Sequence, residues 1–407
     1  MDLDLSDEHR QLQAMCRQFA REVIAPGAEE WNRAHRFPTE LFRRLGDLDL
    51  CGPLVPTRYG GSDLGMVGYV VAMEELGQGD QSLAAGWNAH CTIGTLPILR
   101  FGTEDQRQRW IPLLARGERI GAFALTEPIS GSDVQSMETR IRYDGDEVVV
   151  TGRKAFISNA GTEISHGVVT LGKDPDGRFV SVFVPTGTPG YTMGEPYEKV
   201  GWHALDTREQ VFDGVRVPRD HVLGRGDGGH SPKDQGDGGH SPKEQGDGGH
   251  SPKEPAGSGL RVFLSALDAG RISIAALSVS LAQAALTEAL AYAKQRHAFG
   301  RPISQFQAIQ FKLARMSAAV EAARLLTYQA AWLYDEGRPY TREAAIAKLS
   351  ASETATYCVN ESVAIHGGYG YVLDSKVARL YLDSKILEIG EGTNEIQQLV
   401  IARQLGC

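Results

Sequence analysis

Glu391 is the side chain whose sequence surroundings most suggest chemistry. It lies between two glycines in Leu387-Glu388-Ile389-Gly390-Glu391-Gly392-Thr393. Paired glycines make a tight turn without side-chain walls, so a ligand can approach the backbone and meet one carboxylate. A carboxylate presented this way is a candidate general base. It also reads as a solvated turn acid ahead of a helix whose dipole suits it, with Thr393 as the N-cap. A second stretch, Phe123-Ala124-Leu125-Thr126-Glu127-Pro128-Ile129-Ser130-Gly131-Ser132-Asp133, runs from a strand-like segment into a loop of hydroxyls and small residues. Such a loop can aim backbone N–H groups, with Thr126 and Ser132, at a polar ring or a phosphate, and it can equally be an ordinary turn. A third group is Arg296, ahead of a Gly/Pro break in Arg296-His297-Ala298-Phe299-Gly300-Arg301-Pro302. From these residues alone Arg296 is a solvated cation or one that suits a helix C-terminus.

The elements that must position these groups fall into a mostly α chain with a central antiparallel β-domain. Ser6 can cap a helix with Asp7 and Glu8 in its first turn; Leu12, Met15, Cys16, Phe19 and Val23 line one face and Pro26 stops it. Further helices are expected near Pro38, carrying Leu41, Phe42 and Leu45, and from Gly68 to Leu76. Another follows Thr103, whose spacing to Gln106 is that of a capping box, and Pro112 restarts or kinks it. From Ile120 the pattern changes to strands. Val148 to Val150, Phe156-Ile157, Val180 to Val184 and Val211 to Val217 are separated by turns such as Asp144-Gly145 and Asp176-Gly177. The last third is helical again, over Leu260 to Lys294, Ile303 to Glu336, Arg342 to Ile365, and from Thr393 onward, as in a four-helix bundle. The expected domains are 1–118, 119–225 and 256–407.

Between the last two lies a decapeptide, Gly-Asp-Gly-Gly-His-Ser-Pro-Lys-Asp-Gln, repeated three times over 226–255 with small changes. Glycine, proline and charge dominate it, and it is expected to be a disordered surface insertion. His230, His240 and His250 in a flexible tract would bind a metal weakly and without fixed geometry, so no metal site is assigned.

The net charge of −9 argues against a nucleic-acid surface. No apolar run is read as long enough to cross a bilayer, and the acidic N-terminus does not resemble a signal peptide. The five cysteines, Cys16, Cys51, Cys91, Cys358 and Cys407, have neither paired nor metal-ligand spacing. The expectation is a cytoplasmic protein with reduced thiols and no membrane or nucleic-acid partner.

Several motifs in order resemble one family. Thr126-Glu127-Pro128-x-x-Gly131-Ser132-Asp133, then Gly152-Arg153-Lys154-Ala155-Phe156-Ile157-Ser158-Asn159-Ala160, then Glu391-Gly392-Thr393 are similar to the acyl-CoA dehydrogenases, over essentially the whole chain apart from the insertion. The resemblance implies an N-terminal helical domain, a middle β-barrel or sandwich, and a C-terminal four-helix bundle, with FAD held between them. It implies flavin contacts from Phe123, Leu125, Thr126, Gly131 and Ser132 in the loop and from Phe156, Ile157 and Ser158 in the following motif. Phe156 replaces a family tryptophan. Arg296, Phe299, Phe306 and Gln307 would reach the FAD of a neighbouring subunit, with the arginine on the pyrophosphate, so a homo-oligomer, expected as a tetramer, follows. Gly367 and Gly368 would admit the cofactor to the backbone, although Ala364 stands where the family usually has glutamine; His366 is read as structural. Thr393 and Glu395 complete the implied cofactor set.

The same resemblance implies α,β-dehydrogenation of an acyl thioester, acyl-CoA to trans-2-enoyl-CoA, with Glu391 removing the α-proton and FAD taking the β-hydride. The backbone N–H of Glu391 would help polarise the thioester carbonyl. Ser132, Asp268, Arg271 and Gly392 match substrate-side residues. Some members place the base at the position of Gly270, where glycine cannot serve. Gly390 stands where straight-chain members often have tyrosine, which implies a wider pocket for a bulkier or branched acyl group. The implied electron acceptor is an electron-transferring flavoprotein, and the implied setting is fatty acid metabolism. An acyl-carrier-protein thioester or direct reaction with oxygen is an alternative on the same fold. A non-catalytic scaffold using its His-rich repeats is an alternative of a different class.

Overall fold

In the computed structural model, residues 4–224 and 258–407 are described. The repeat segment 226–255 lies outside them, and with it the expectation of a disordered insertion.

The first third is helical: α1 (Asp7–Phe19), α2 (Ala25–Arg33), α3 (Glu40–Asp47), α4 (Gly65–Gly79), α5 (Gln81–Ala89), α6 (Leu96–Phe101) and α7 (Glu104–Ala115). Local chemistry sets several ends. The Ser6 hydroxyl accepts from His9 N–H at 3.1 Å. Thr103 and Gln106 form the reciprocal box, at 2.7 and 3.3 Å, ahead of α7. One expectation changes. Pro26 does not stop the first helix: a π-turn over Ala20–Ile24 carries the chain into α2, with Pro26 in its first turn. A missing N–H costs little there, because first-turn N–H groups have no intrahelical partner. Pro112 lies inside α7, which continues past it.

The middle is an eight-stranded sheet: β1 (Ile120–Ala124), β2 (Arg140–Asp144), β3 (Glu147–Ser158), β4 (Ser165–Lys173), β5 (Phe179–Pro185), β6 (Tyr191–Pro196), β7 (Thr207–Pro218) and β8 (Val222–Leu223). Its order is β6-β7-β3-β2-β4-β5-β8, with β1 beside β4. Most neighbours are antiparallel, as β-branched runs joined by tight turns dictate. The sheet is nevertheless mixed, because β1 runs parallel to β4, with Phe123 opposite Val169. β2 and β4 also meet in a parallel pair at Arg140 and Lys173.

The last third carries α8 (Ser258–Gln295), a small ribbon of β9 (His297–Ala298) and β10 (Arg301–Pro302), then α9 (Gln307–Asp335), α10 (Thr341–His366), α11 (Gly368–Tyr371), α12 (Lys376–Ser384) and α13 (Asn394–Gln404). α8, α9 and α10 pack together, and the short α12 and α13 pack on α10. The reading that no run is long enough for a bilayer needs correcting. By length and composition Gly259–Gln295 would qualify, and its burial among the other helices accounts for its apolar character. α8 is apolar nearly all round because it is the helix the others surround.

One core joins the two helical regions. It contains Tyr69, Met73 and Trp87 from α4 and α5 together with Ile272, Ala276 and Val279 of α8 and Ala351 and Ala355 of α10. A second core ties α7 and the start of α8 to the sheet through Trp110, Phe123, Phe183 and Phe263. The Glu391 turn stands at the first of these junctions.

Candidate active site

Glu391 follows the 3-10 turn Lys385–Glu388 and precedes α13. Its φ is +51°, a left-handed conformation that a non-glycine residue adopts only when its surroundings impose it. The turn is pinned on both sides. Gly390 N–H donates to Ile386 O at 2.7 Å, and the buried Gln397 side chain donates to Gly392 O at 2.8 Å. Thr393 caps α13, its hydroxyl accepting from Ile396 N–H at 3.4 Å. Asn394 accepts from Lys348 Nζ at 2.9 Å and from Ser352 at 3.0 Å, which locks the start of α13 onto α10. The solvated-acid reading therefore fails. Oε2 of Glu391 is buried without a hydrogen-bond partner among the described residues.

Three elements close over the carboxylate. Asn88 of α5 donates to Oε1 at 3.1 Å. Arg271 of α8 and Lys348 of α10 add positive charge nearby. Burial wins over these: it pushes the Glu391 carboxyl up to about 7, against the hydrogen bond from Asn88 and the two cations. Lys348 is itself fully buried, and that pushes its ammonium down to about 8. Arg271 is ion-paired with Asp268, which also accepts from Thr341 at 3.0 Å. A carboxylate near 7, shielded from water and with one oxygen free, is suited to accept a proton from a weak carbon acid.

Gly270 belongs to this site although it can hold no proton. A Cβ at 270 would lie 1.5 Å from Glu391 Oε2. Gly270→Ala is expected to fold, because the colliding atom ends a flexible side chain, and to lower turnover about tenfold by turning the carboxylate away. Steady-state turnover beside the unfolding midpoint checks this.

The hydroxyl loop is held from behind. Glu127 is buried and meets the fully buried Lys154 of β3 at 2.8 Å. Glu127 also accepts from Glu138 N–H at 2.6 Å and Thr139 N–H at 3.0 Å, and Lys154 donates to Leu125 O at 3.0 Å. These bonds leave Gly131 and Ser132 exposed at the surface and Thr126 half-buried. Along β3 the sides alternate: Phe156 is exposed and Ser158 half-buried, while Ile157 points into the sheet's core. Phe123 packs on Phe263, ring centroids 4.1 Å apart, and Leu125 lies against the same core. Phe123 and Ile157 can therefore serve a ligand through their backbones only.

Arg296, Phe299, Phe306 and Gln307 lie at the other end of the helical region. The Phe299 ring is 96% exposed and meets Phe306 edge-on at 6.1 Å. Arg296 makes no ion pair among the described residues. A groove of about 630 Å³ beside it is lined by Tyr292, Ile303, His366, Gly367 and Gly368. Among the described residues no hydrogen bond, ion pair or ring contact joins this group to the Thr126–Ser158 group. Glu395 is exposed on α13.

These features fit FAD. An unpaired guanidinium beside open glycine backbone suits a pyrophosphate. Exposed aromatic rings and a hydroxyl loop at the end of a strand suit a flavin. Phe156 and Phe299 also have φ of +61° and +51°. Bulky residues in that region are rare, and strain of this kind gathers at functional sites.

Asn88, Tyr69 and Lys348 were not legible as site residues. Asn88 is 303 residues from Glu391 in sequence. Only its place in an otherwise apolar segment could have marked it.

A helical N-terminal region, a mixed sheet, a helical C-terminal region, surfaces that suit a flavin and a buried carboxylate at the junction are the arrangement of a flavin-dependent dehydrogenase. The acyl-CoA dehydrogenase N-terminal domain matches residues 6–118, the middle domain 122–215 and the C-terminal domain 257–406. A probable acyl-CoA dehydrogenase of Bacillus subtilis (strain 168) is 42% identical, over 100% of both chains. The mitochondrial short-chain specific acyl-CoA dehydrogenase of Bos taurus is 40% identical, over 99% of this chain and 91% of its own. Among solved structures, the butyryl-CoA dehydrogenase of Megasphaera elsdenii superposes with a TM-score of 0.89 at 34% identity, over 100% of both chains. The prolyl acyl carrier protein oxidase AnaB gives 0.88 at 27% identity, over 99% of this chain and 100% of that one. The chain belongs to the acyl-CoA dehydrogenase family. It is an FAD-dependent oxidoreductase that dehydrogenates an acyl-CoA between its α and β carbons.

Proposed function

We propose that Glu391 is the base that removes the α-proton of a short acyl-CoA, with room beside Gly390 for a branch. The buried, partner-free Oε2 over Gly270 is the observation that carries this reading. Near neutrality the raised Glu391 carboxyl is part ionised, and burial keeps water from competing for it. FAD, when bound, would supply the hydride acceptor for the β-hydrogen, a chemistry no side chain offers. Arg271 and Lys348 supply positive charge as negative charge develops at the thioester. Ser132, Asp268 and Gly392 serve the substrate side. Arg296, Phe299, Phe306, Gln307, Gly367 and Gly368 hold the cofactor from one protomer, and Thr126, Phe156 and Ser158 hold it from another. The reading thus requires an oligomer, with a tetramer as its form. An electron-transferring flavoprotein takes the electrons, in the cytoplasm, within fatty acid metabolism.

The short-chain preference draws on the names of the relatives, and the branch on Gly390. Among the described residues, a Cβ at 390 would find only Ile386 at ordinary contact, 3.4 Å or more away, so there is room for a side chain at this position. Gly390→Tyr is expected to lower kcat/KM for branched acyl-CoAs about tenfold relative to linear ones. Retention of the branched rate would contradict the wide pocket. The alternative, an acyl group on a carrier protein, is supported by the likeness to the carrier-protein oxidase. Parallel kinetics with one acyl group on CoA and on a carrier protein decide between them, and a preference for the carrier thioester would overturn the CoA reading.

A further inference from the structure

Among the described residues, the Glu391 carboxylate accepts one hydrogen bond from a side chain, and that donor is neutral. Asn88 Nδ2 reaches Oε1 at 3.1 Å from the N-terminal helical region. The charged groups that face the same carboxylate have other partners. Lys348 on α10 donates to Asn394, and Arg271 on α8 is paired with Asp268. Tyr69 on α4 is fully buried and stays a neutral phenol, because burial raises its pKa. Its hydroxyl donates to Asn88 Oδ1 at 2.7 Å, and its ring stacks on Trp87 at 4.8 Å. Trp87 in turn donates to Leu50 O at 2.7 Å. The Asn88 backbone is tied as well, its carbonyl accepting from Thr92 at 2.8 Å.

This chain of donors fixes which end of the amide faces the base. Oδ1 of Asn88 is occupied by the phenol, so Nδ2 is the end left for Glu391. We propose that Asn88, oriented by Tyr69, is a positioning residue for α-proton removal: it holds Oε1 of Glu391 so that Oε2 stands free over Gly270 to take the proton. This rests on Glu391 being the base. A neutral donor suits the task. A direct ion pair to the carboxylate would favour its ionised form more strongly and weaken it as a base for a carbon acid. An amide holds the geometry and favours the ionised form only modestly.

The test uses the full-length, FAD-loaded protein with three variants. Asn88→Leu keeps the volume and removes the donor. Tyr69→Phe removes only the hydroxyl that orients the amide. Glu391→Gln identifies the Glu391 carboxyl band in an infrared pH titration of the free enzyme. Asn88→Leu is expected to raise the Glu391 midpoint by about one pH unit. Flavin reduction by acyl-CoA would then slow about tenfold at pH 6 and less at pH 9, with KM nearly unchanged. Tyr69→Phe should move the midpoint in the same direction by a smaller amount. An unmoved midpoint in Asn88→Leu, or in Tyr69→Phe if the first variant does not fold, overturns the proposal. A loss of rate that is equal at every pH beside an unmoved midpoint is what lost packing alone would give, and it too overturns the proposal. The failure of the underlying reading looks different: Glu391→Gln would reduce its flavin as fast as the parent, whatever the Asn88 variants do.

Discussion

Glu391→Gln is expected to slow reduction of the flavin by acyl-CoA about 10³-fold or more while leaving the protein folded and FAD-loaded. Glutamine keeps the shape and the contact with Asn88 but takes no proton. The same substitution should stabilise the fold above neutral pH. The sign follows from burial. The carboxyl is raised from its ordinary 4.5 to about 7 in the folded chain. A group raised on folding contributes fully below its unfolded value and loses that contribution as pH rises through the folded one. Above pH 7 the parent therefore carries a cost of about 3 kcal/mol that glutamine removes, and below about pH 4.5 the two proteins should be equally stable. Denaturant unfolding at pH 5 and pH 8, beside rapid-mixing kinetics, checks both halves. A variant that is slower and no more stable at pH 8 would contradict the buried, raised carboxyl. For the parent, the acid limb of kcat/KM should have its midpoint near 7.

The second large effect is at Lys154. Lys154→Met should cost about 3–5 kcal/mol, because it leaves the buried Glu127 without its counter-charge. Glu127 keeps its backbone donors at Glu138 and Thr139, which temper the loss without removing it. The carbonyl of Leu125 also loses its Nζ donor, so the Thr126–Asp133 loop loosens and FAD should dissociate more readily. Lys154→Met combined with Glu127→Leu should be less damaging than Lys154→Met alone, since no unpaired charge remains. Equilibrium unfolding of the three variants and flavin retention on gel filtration measure this. A cost below about 1 kcal/mol for the single change would place the pair outside the low-dielectric interior that its burial implies.

What could be read from the chain was local. The glycine pair around Glu391, the Ser6 and Thr103 caps and the β-branched runs of β3, β5 and β7 each act within a few residues. They stand in the fold where the pattern put them. What could not be read depends on distant partners. α5 carries no amphipathic stripe because every side of it is covered, so periodicity had nothing to detect. The π-turn at Ala20–Ile24 let a helix pass a proline that should have ended it. The parallel pairing of β1 with β4 joins segments about 45 residues apart, a separation that strand propensity does not encode. Within the site the carboxylate was legible, while the groups that set its basicity were not. Asn88 and Lys348 come from α5 and α10, and neither has a sequence neighbour that hints at Glu391. Phe123 and Ile157 show the opposite limit: they fall inside recognisable motifs, yet their side chains belong to the core.

The most direct measurement is an anaerobic titration of the FAD-loaded protein with a panel of acyl-CoAs, followed by the flavin's absorption, in the parent and in Glu391→Gln. Bleaching of the parent by short acyl-CoAs, with enoyl-CoA formed in equal amount and the response lost in the variant, is the predicted result. A yellow parent that no acyl-CoA bleaches, or a variant that bleaches as fast as the parent, would contradict the account.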